Sequence, residues 1–313
     1  MAIKNRVLLL EEKVELIRRR LSKCDICPRN CRVNRLKNEK GYCQAQENAV
    51  VYSAFLHHGE EPAISGSRGS GTIFFSGCSL KCIYCQNYKF SHYLKGTILS
   101  CEKLGKVMLN LQNQGAHNIN LVTPTHFLPQ ILGALLTATE GGFDIPLVYN
   151  TSGFEKKEII ALIDGIIDIY LVDLKYLRSS SGEKYSRAKD YPHFASESIK
   201  EMYRQVKNAK LDKGLLKKGL VIRHLVLPGL VAESKKILNW IKKNTPEAFV
   251  SVMFQYQPYF KANTCLNINR RIELSEYREI KALSEKLKLK GWVQNFTPRE
   301  ELAGVYFKPK LEI

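Results

Sequence analysis

Beyond residue 70 the apolar residues come in short, nearly unbroken runs. Longer stretches lie between them, and there apolar positions recur every three or four residues. The runs are GTIFF (71–75), NINLV (118–122), PLVYN (146–150), IDIYLVD (167–173), LVIRHLVL (220–227) and FVSVMFQY (249–256). Continuous apolar character predicts strands covered on both faces. The intervening stretches predict helices over about 100–115, 127–139, 155–163, 194–210, 233–244 and 275–290. Ser100 and Ser275 read as N-caps, and Gly115 as the glycine that follows a helix end. Strands alternating with helices imply a parallel sheet with right-handed crossovers. Six units fall short of the eight in a closed TIM barrel.

The first seventy residues follow another pattern. Residues 5–22 predict a helix, and 24–43 form a turn-rich segment holding four cysteines. Within 44–70, the polar stretch HHGEEPAISGSRGSG is dense enough in Gly and Pro to exclude regular structure. Two units are therefore expected: an extension over 1–66 and an α/β domain over 67–313.

With 313 residues, 44% of them hydrophobic, the chain can bury a substantial core. No run approaches the roughly 20 apolar residues of a membrane span. The start, MAIKNRVLLLEEKVELIRRR, turns charged too soon for a signal peptide, so a cytoplasmic protein is expected. A formal charge of +18 is spread over pairs such as Lys217-Lys218 and Lys242-Lys243, which is the signature of a solvated surface. It also fits the docking of an acidic flavodoxin- or ferredoxin-type electron donor. A nucleic-acid-binding protein stapled by metal is the competing class. It would need basic residues interleaved with aromatics on an exposed platform, and no such stretch is evident.

Seven of the nine cysteines fall in two tight groups, which in a reducing compartment favours metal ligation over disulfides. Cys101 and Cys265 stand apart and read as small hydrophobes. Cys78, Cys82 and Cys85 form Cys-x3-Cys-x2-Cys directly after the first strand. Three thiolates can hold three irons of a four-iron cluster. The fourth iron is then free for a small molecule with an amine and a carboxylate, as an open position marks a catalytic zinc. A zinc site and unligated core thiols are the plainer readings. Cys24, Cys27, Cys31 and Cys43 supply four soft ligands within twenty residues, suited to tetrahedral zinc or to an auxiliary iron–sulfur cluster.

The strand ends are polar. They carry Thr123-Pro124-Thr125-His126, Asn150-Thr151-Ser152-Gly153, Asp173-Leu174-Lys175, Arg223-His224 with Pro228-Gly229, and Gln255-Tyr256-Gln257. Chemistry in parallel barrels gathers at this end of the strands. His126, Tyr256 and Tyr259 are candidates for a substrate pocket, whereas His224 reads as barrel wall. His57-His58 and Glu60-Glu61, in the glycine-rich loop, are in reach of the cluster mouth as acid–base or substrate groups, but solvation is the expected reading.

The cysteine loop, with Tyr84 before its last cysteine, resembles the radical S-adenosylmethionine (SAM) family. The motifs CPRNCRVNR, EEPAISGSRGSG, CQN, YNTSG, DIYLVDLKY and RHLVLPG resemble the uncharacterised homologues of pyruvate formate-lyase activating enzyme within it. The resemblance implies a partial (β/α)6 TIM-type barrel, with the Cys-rich segment as an N-terminal extension. It implies a [4Fe–4S] cluster on Cys78, Cys82 and Cys85 and a bound SAM. Tyr84 would lie near the adenine, Asp173 and Lys175 near SAM, and Arg223 near its carboxylate. Asn150 and Thr151 stand at the Asn-Gly-type turn, and Gln255 where relatives have a SAM-contacting polar group. The family's Gly-Gly-Glu after strand two is absent, and Thr123 with its backbone stands there instead. The implied activity is reductive SAM cleavage followed by hydrogen-atom abstraction, with a glycine on a glycyl-radical enzyme as the target. A small molecule or another protein is the alternative target.

Overall fold

The computed structural model describes residues 3–296 and 306–311. Among the described residues there are ten strands: β1 (Ala49–His57), β2 (Ser70–Phe75), β3 (Thr97–Leu99), β4 (Ile119–Val122), β5 (Leu147–Thr151), β6 (Ile169–Asp173), β7 (Lys210–Asp212), β8 (Leu215–Leu225), β9 (Phe249–Met253) and β10 (Gly291–Val293). The sheet order is β10-β9-β8-β6-β5-β4-β2-β1-β3, with β7 paired to β8. From β2 through β10 along this path every pairing is parallel, whereas β1 pairs antiparallel with both β2 and β3. All six expected strands lie in the parallel run, in chain order. This is an α/β protein with a mostly parallel central sheet, and its edges are β3 and β10. Phe74 of β2 and Trp292 of β10 line one cavity, so the parallel run curls around an interior space.

The strands are buried on both faces, as continuous apolar runs require. Helices Cys101–Asn113 and Leu128–Glu140 cover part of the sheet and pack on each other. Helix Ile3–Arg18 lies against Leu128–Glu140, and its Leu10 and Ile17 belong to the same continuous core as Ile73 and Phe75. Ser100 caps the helix after it, accepting from the Lys103 amide at 3.2 Å, and Gly115 follows the helix end at φ +91°.

Three expectations are corrected. The stretch HHGEEPAISGSRGSG is not wholly irregular: it starts on the last residue of β1, holds a short helix at Pro62–Ser65 and ends inside β2. The antiparallel partner of β2 lends regularity where turn composition alone argued against it. The helix expected over 194–210 runs Tyr191–Val206, preceded by an unexpected helix, Ser179–Ser186, and followed by the β7–β8 hairpin. Ser179-Ser180-Ser181-Gly182 has low helix propensity and hid the unexpected helix. The last helix starts one residue early, at Leu274, because Glu273 and Glu276 form a capping box in which Ser275 is already helical.

Candidate active site

β2 ends at Phe75, and Gly77 turns the chain at φ +82° into the cysteine loop. A Cβ at Gly77 would stand 2.5 Å from the Cys43 carbonyl, so only glycine lets the two cysteine segments pack this closely. Arg29 Nε donates to the Ser79 carbonyl at 2.7 Å and ties the segments a second time. Cys82 Sγ lies 3.0 Å from Ser186 Oγ, Cys85 Sγ 3.2 Å from Ser91 Oγ, and the Leu80 amide donates to Cys78 Sγ at 3.3 Å.

Cys78, Cys82 and Cys85 all line one cavity of about 300 Å³, a volume typical of a ligand pocket. Tyr84, Thr123, Asn150 and Thr151 line it too, as do Asp173, Lys175, Arg223 and Gln255. The structure thus brings Cys78, Cys82 and Cys85 and every residue that the resemblance assigned to SAM to a single space. Tyr84 is buried, its hydroxyl 2.6 Å from that of Tyr176. Gln255 accepts from Gln294 Nε2 at 3.1 Å. Thr123 adopts φ +60°, a left-handed conformation that β-branched residues rarely take and that strain at functional sites often explains. Its amide donates to the Asn150 carbonyl at 2.9 Å.

An ion network fills the middle of the cavity. Arg223 donates from Nε to Asp173 at 2.8 Å, from Nη1 to Glu60 at 3.3 Å and from Nη2 to Asn150 at 2.6 Å. Lys175 Nζ donates to the other Asp173 oxygen at 2.7 Å. Burial alone would push the Asp173 carboxyl up, but Arg223 and Lys175 outweigh it and hold it below the usual range. Burial also opposes charge on Lys175 and Arg223, and the acids around them keep both firmly protonated. Gly153, at φ +79°, closes the Asn-Thr-Ser-Gly turn, where a Cβ would meet the Asp173 carbonyl at 2.6 Å.

Glu60 and Glu61 correct the sequence reading. His58 is solvated as expected, but His57 and Glu61 are buried, and both glutamates line the cavity. Their loop leaves β1 at His57, opposite Ser70 at the start of β2, so it enters from the end away from the cysteines. Glu60 accepts from Asn120 Nδ2 at 3.0 Å. Burial raises both carboxyls above their ordinary pKa, against the pull of Arg223. A charged pair ahead of a helix-initiating proline and just before a strand was the available signal. Ser251, Trp292 and Phe307 also line the cavity, and nothing in the sequence pattern marked them.

The sulfurs sit in a shell that resists ionisation without a metal. Burial, reinforced by neighbouring thiols, pushes Cys78 up to about 12 and Cys85 up to about 11. Metal binding at such thiols releases protons. Cys24, Cys27, Cys31 and Cys43 line a second, smaller cavity with Arg35 and His126. Burial and the other thiols of the group raise Cys27 and Cys43 in the same direction. Among the described residues, no group of three or more His, Cys, Asp or Glu side chains stands close enough to hold a metal as it is. His126 is not in the large cavity, contrary to expectation. Its Nε2 donates to the Ser76 carbonyl at 2.7 Å. His224 is buried between the Leu174 carbonyl and Ser234, a wall residue. Tyr256 and Tyr259 do line the large cavity. Cys101 packs against Gly133 and Cys265 against the core edge.

A curled parallel sheet with thiols and a charged network at its strand ends is the architecture of a cofactor-dependent α/β enzyme. Residues 72–241 match the model of the radical SAM superfamily. An uncharacterised protein of Methanocaldococcus jannaschii is 34% identical over 292 residues, covering 90% of this chain and 80% of that protein. The chain belongs to the radical SAM superfamily, and it is therefore an enzyme whose cofactors are a [4Fe–4S] cluster and SAM. No helix among the described residues is long and apolar enough to cross a membrane.

Proposed function

We propose that Cys78, Cys82 and Cys85 hold the cluster, that SAM lies between them and the Asp173–Lys175–Arg223 network, and that the enzyme takes a hydrogen atom from a glycine on a partner protein. The observation that carries this reading is the meeting of all three thiols and that network in one cavity. The donor set fits: three thiols on one loop leave one cluster iron to be chelated by an amine and a carboxylate. When bound, the reduced cluster and SAM supply one-electron cleavage to a 5′-deoxyadenosyl radical, which abstracts hydrogen.

The chain's own residues bind and orient. Arg223, fixed by Asp173 and Glu60, presents positive charge for the SAM carboxylate. Asp173 and Lys175 stand beside it as a preset pair, so little reorganisation accompanies binding. Tyr84 offers an aromatic face to the cavity. The glycine-like backbone of Thr123 supports its standing in for the missing Gly-Gly-Glu. The glycine target rests on the likeness of the strand ends to activating enzymes.

Electron entry is proposed from a flavodoxin- or ferredoxin-type donor at the cysteine loop. Lys81, Lys261 and Arg187 all act on His92 beside this loop, and with burial they lower its pKa to about 4. The Lys261 amide donates to the Ile83 carbonyl at 2.9 Å, so this basic rim is attached to the loop itself. The four N-terminal thiols are proposed to hold zinc or a second iron–sulfur cluster, stapling a segment built of turns.

The test is anaerobic reconstitution with iron and sulfide, then SAM and dithionite. 5′-Deoxyadenosine is expected from the wild type and not from a folded Cys82→Ala variant. Equal rates would contradict the assignment. Deuterium passing from a glycine-deuterated partner protein into 5′-deoxyadenosine would support the target, and none passing would remove it.

A further inference from the structure

Five charged side chains line the large cavity: Glu60, Glu61, Asp173, Lys175 and Arg223. Four of them are paired with one another. Glu61 is 8% exposed, and its Oε2 has no hydrogen-bond partner. Ser251 lies beside this carboxyl and draws its pKa down, against burial. Arg223 acts on it electrostatically, while its Nε, Nη1 and Nη2 donate to Asp173, Glu60 and Asn150. A buried polar atom left unsatisfied costs about 1–3 kcal/mol, and more if it is charged. The Glu61 side chain belongs to the cavity lining, so a group entering there can supply the missing partner once Oε2 is uncovered.

The charge of the lining points the same way. Three carboxyls face two cations, so the lining carries one negative charge in excess when all of them are ionised. His57 does not supply the missing cation, because burial lowers its pKa to about 4 and keeps it neutral at neutral pH. Phe74, Trp292 and Phe307 line the same space, and aromatic faces attract cations. Glu61 also enters from the end of the sheet away from the thiols, beyond the residues assigned to SAM.

The geometry points to Glu61 as a specificity-determining residue that receives a cationic nitrogen, an ammonium or guanidinium group, of the molecule from which hydrogen is taken. This rests on the reading above that the cavity holds that molecule. If the target is a glycine on a protein, the cation belongs to a side chain near that glycine.

The probe is n-propylguanidinium, with n-butanamide as its neutral counterpart. Each is titrated calorimetrically into reconstituted full-length protein, with and without SAM. The wild type is expected to bind the cation at least about tenfold more tightly than the amide. Glu61→Gln should lose that preference. Glu61→Asp, which keeps the charge, should retain part of it, which separates loss of charge from loss of fold. Equal binding of both probes to the wild type, or an undiminished preference in Glu61→Gln, overturns the inference. So does displacement of the cation by SAM, since Glu61 would then serve the nucleotide. Deuterium transfer from glycine is a separate readout. Its absence would remove the glycine target and leave a measured cation preference standing.

Discussion

Arg223 and Asp173 stand in register on adjacent parallel strands, and the guanidinium Nε meets the carboxylate at 2.8 Å inside the cavity. Two strands, β6 and β8, thereby fix both members of the pair before any ligand arrives. Removing one partner leaves the others as uncompensated buried charges. Arg223→Met is therefore expected to destabilise the protein by about 3–5 kcal/mol in urea unfolding. Adding Glu60→Gln to it should recover part of that loss, because one stranded carboxylate is neutralised. Strictly additive losses would show that the two residues are not coupled.

Glu155 carries a pH signature. It is fully buried behind the strand ends, accepting from Thr125 Oγ1 at 2.5 Å and from the Thr151 hydroxyl. Burial raises its pKa to about 7, outweighing those hydrogen bonds. The folded state then holds a proton that the unfolded chain releases above its ordinary value of 4.5. Stability from this group is full below about pH 4.5, falls as pH rises through 7, and is then flat. The loss is at most about 3 kcal/mol. Glu155→Gln should flatten the profile, melting above the wild type at pH 8 and not at pH 5. Parallel profiles for the two proteins would refute the raised value.

Gly77 is where the two cysteine segments pack against each other. Gly77→Ala adds about 1–2 kcal/mol of left-handed strain, together with a clash against the Cys43 carbonyl. Gly165, at φ +80° with nothing within 4 Å of a Cβ, serves as the control. Gly77→Ala should lower both melting temperature and bound iron well beyond Gly165→Ala. Equal effects would mean the close approach is unimportant.

The N-terminal thiols predict a second metal. Elemental analysis should find metal beyond the [4Fe–4S] cluster in the wild type and lose it in Cys24→Ala/Cys27→Ala. The melting temperature should fall by roughly 5 °C or more, equivalent to about 2 kcal/mol. Unchanged metal content would remove the second site.

The parallel strands were legible because burial on both faces forces a continuous apolar run, and Ile169–Asp173 and Leu147–Thr151 show it plainly. β3, β7 and β10 are three residues each and carry no period long enough to read. β1 was hidden because its pairing with β2 is tertiary information. At the site, Cys78, Cys82 and Cys85 were readable from spacing alone. Glu60 and Glu61 were not, because a charged pair in a Gly- and Pro-rich loop is ordinarily solvated. Only the curl of the sheet around Arg223 and Ser251 turns them inward.

The most direct measurement is electron paramagnetic resonance of oxygen-free, dithionite-reduced protein before and after addition of SAM. A [4Fe–4S] signal that shifts on adding SAM, and that disappears in Cys82→Ala, is the predicted result. Zinc in place of iron at Cys78, Cys82 and Cys85, or a spectrum indifferent to SAM, would contradict the account.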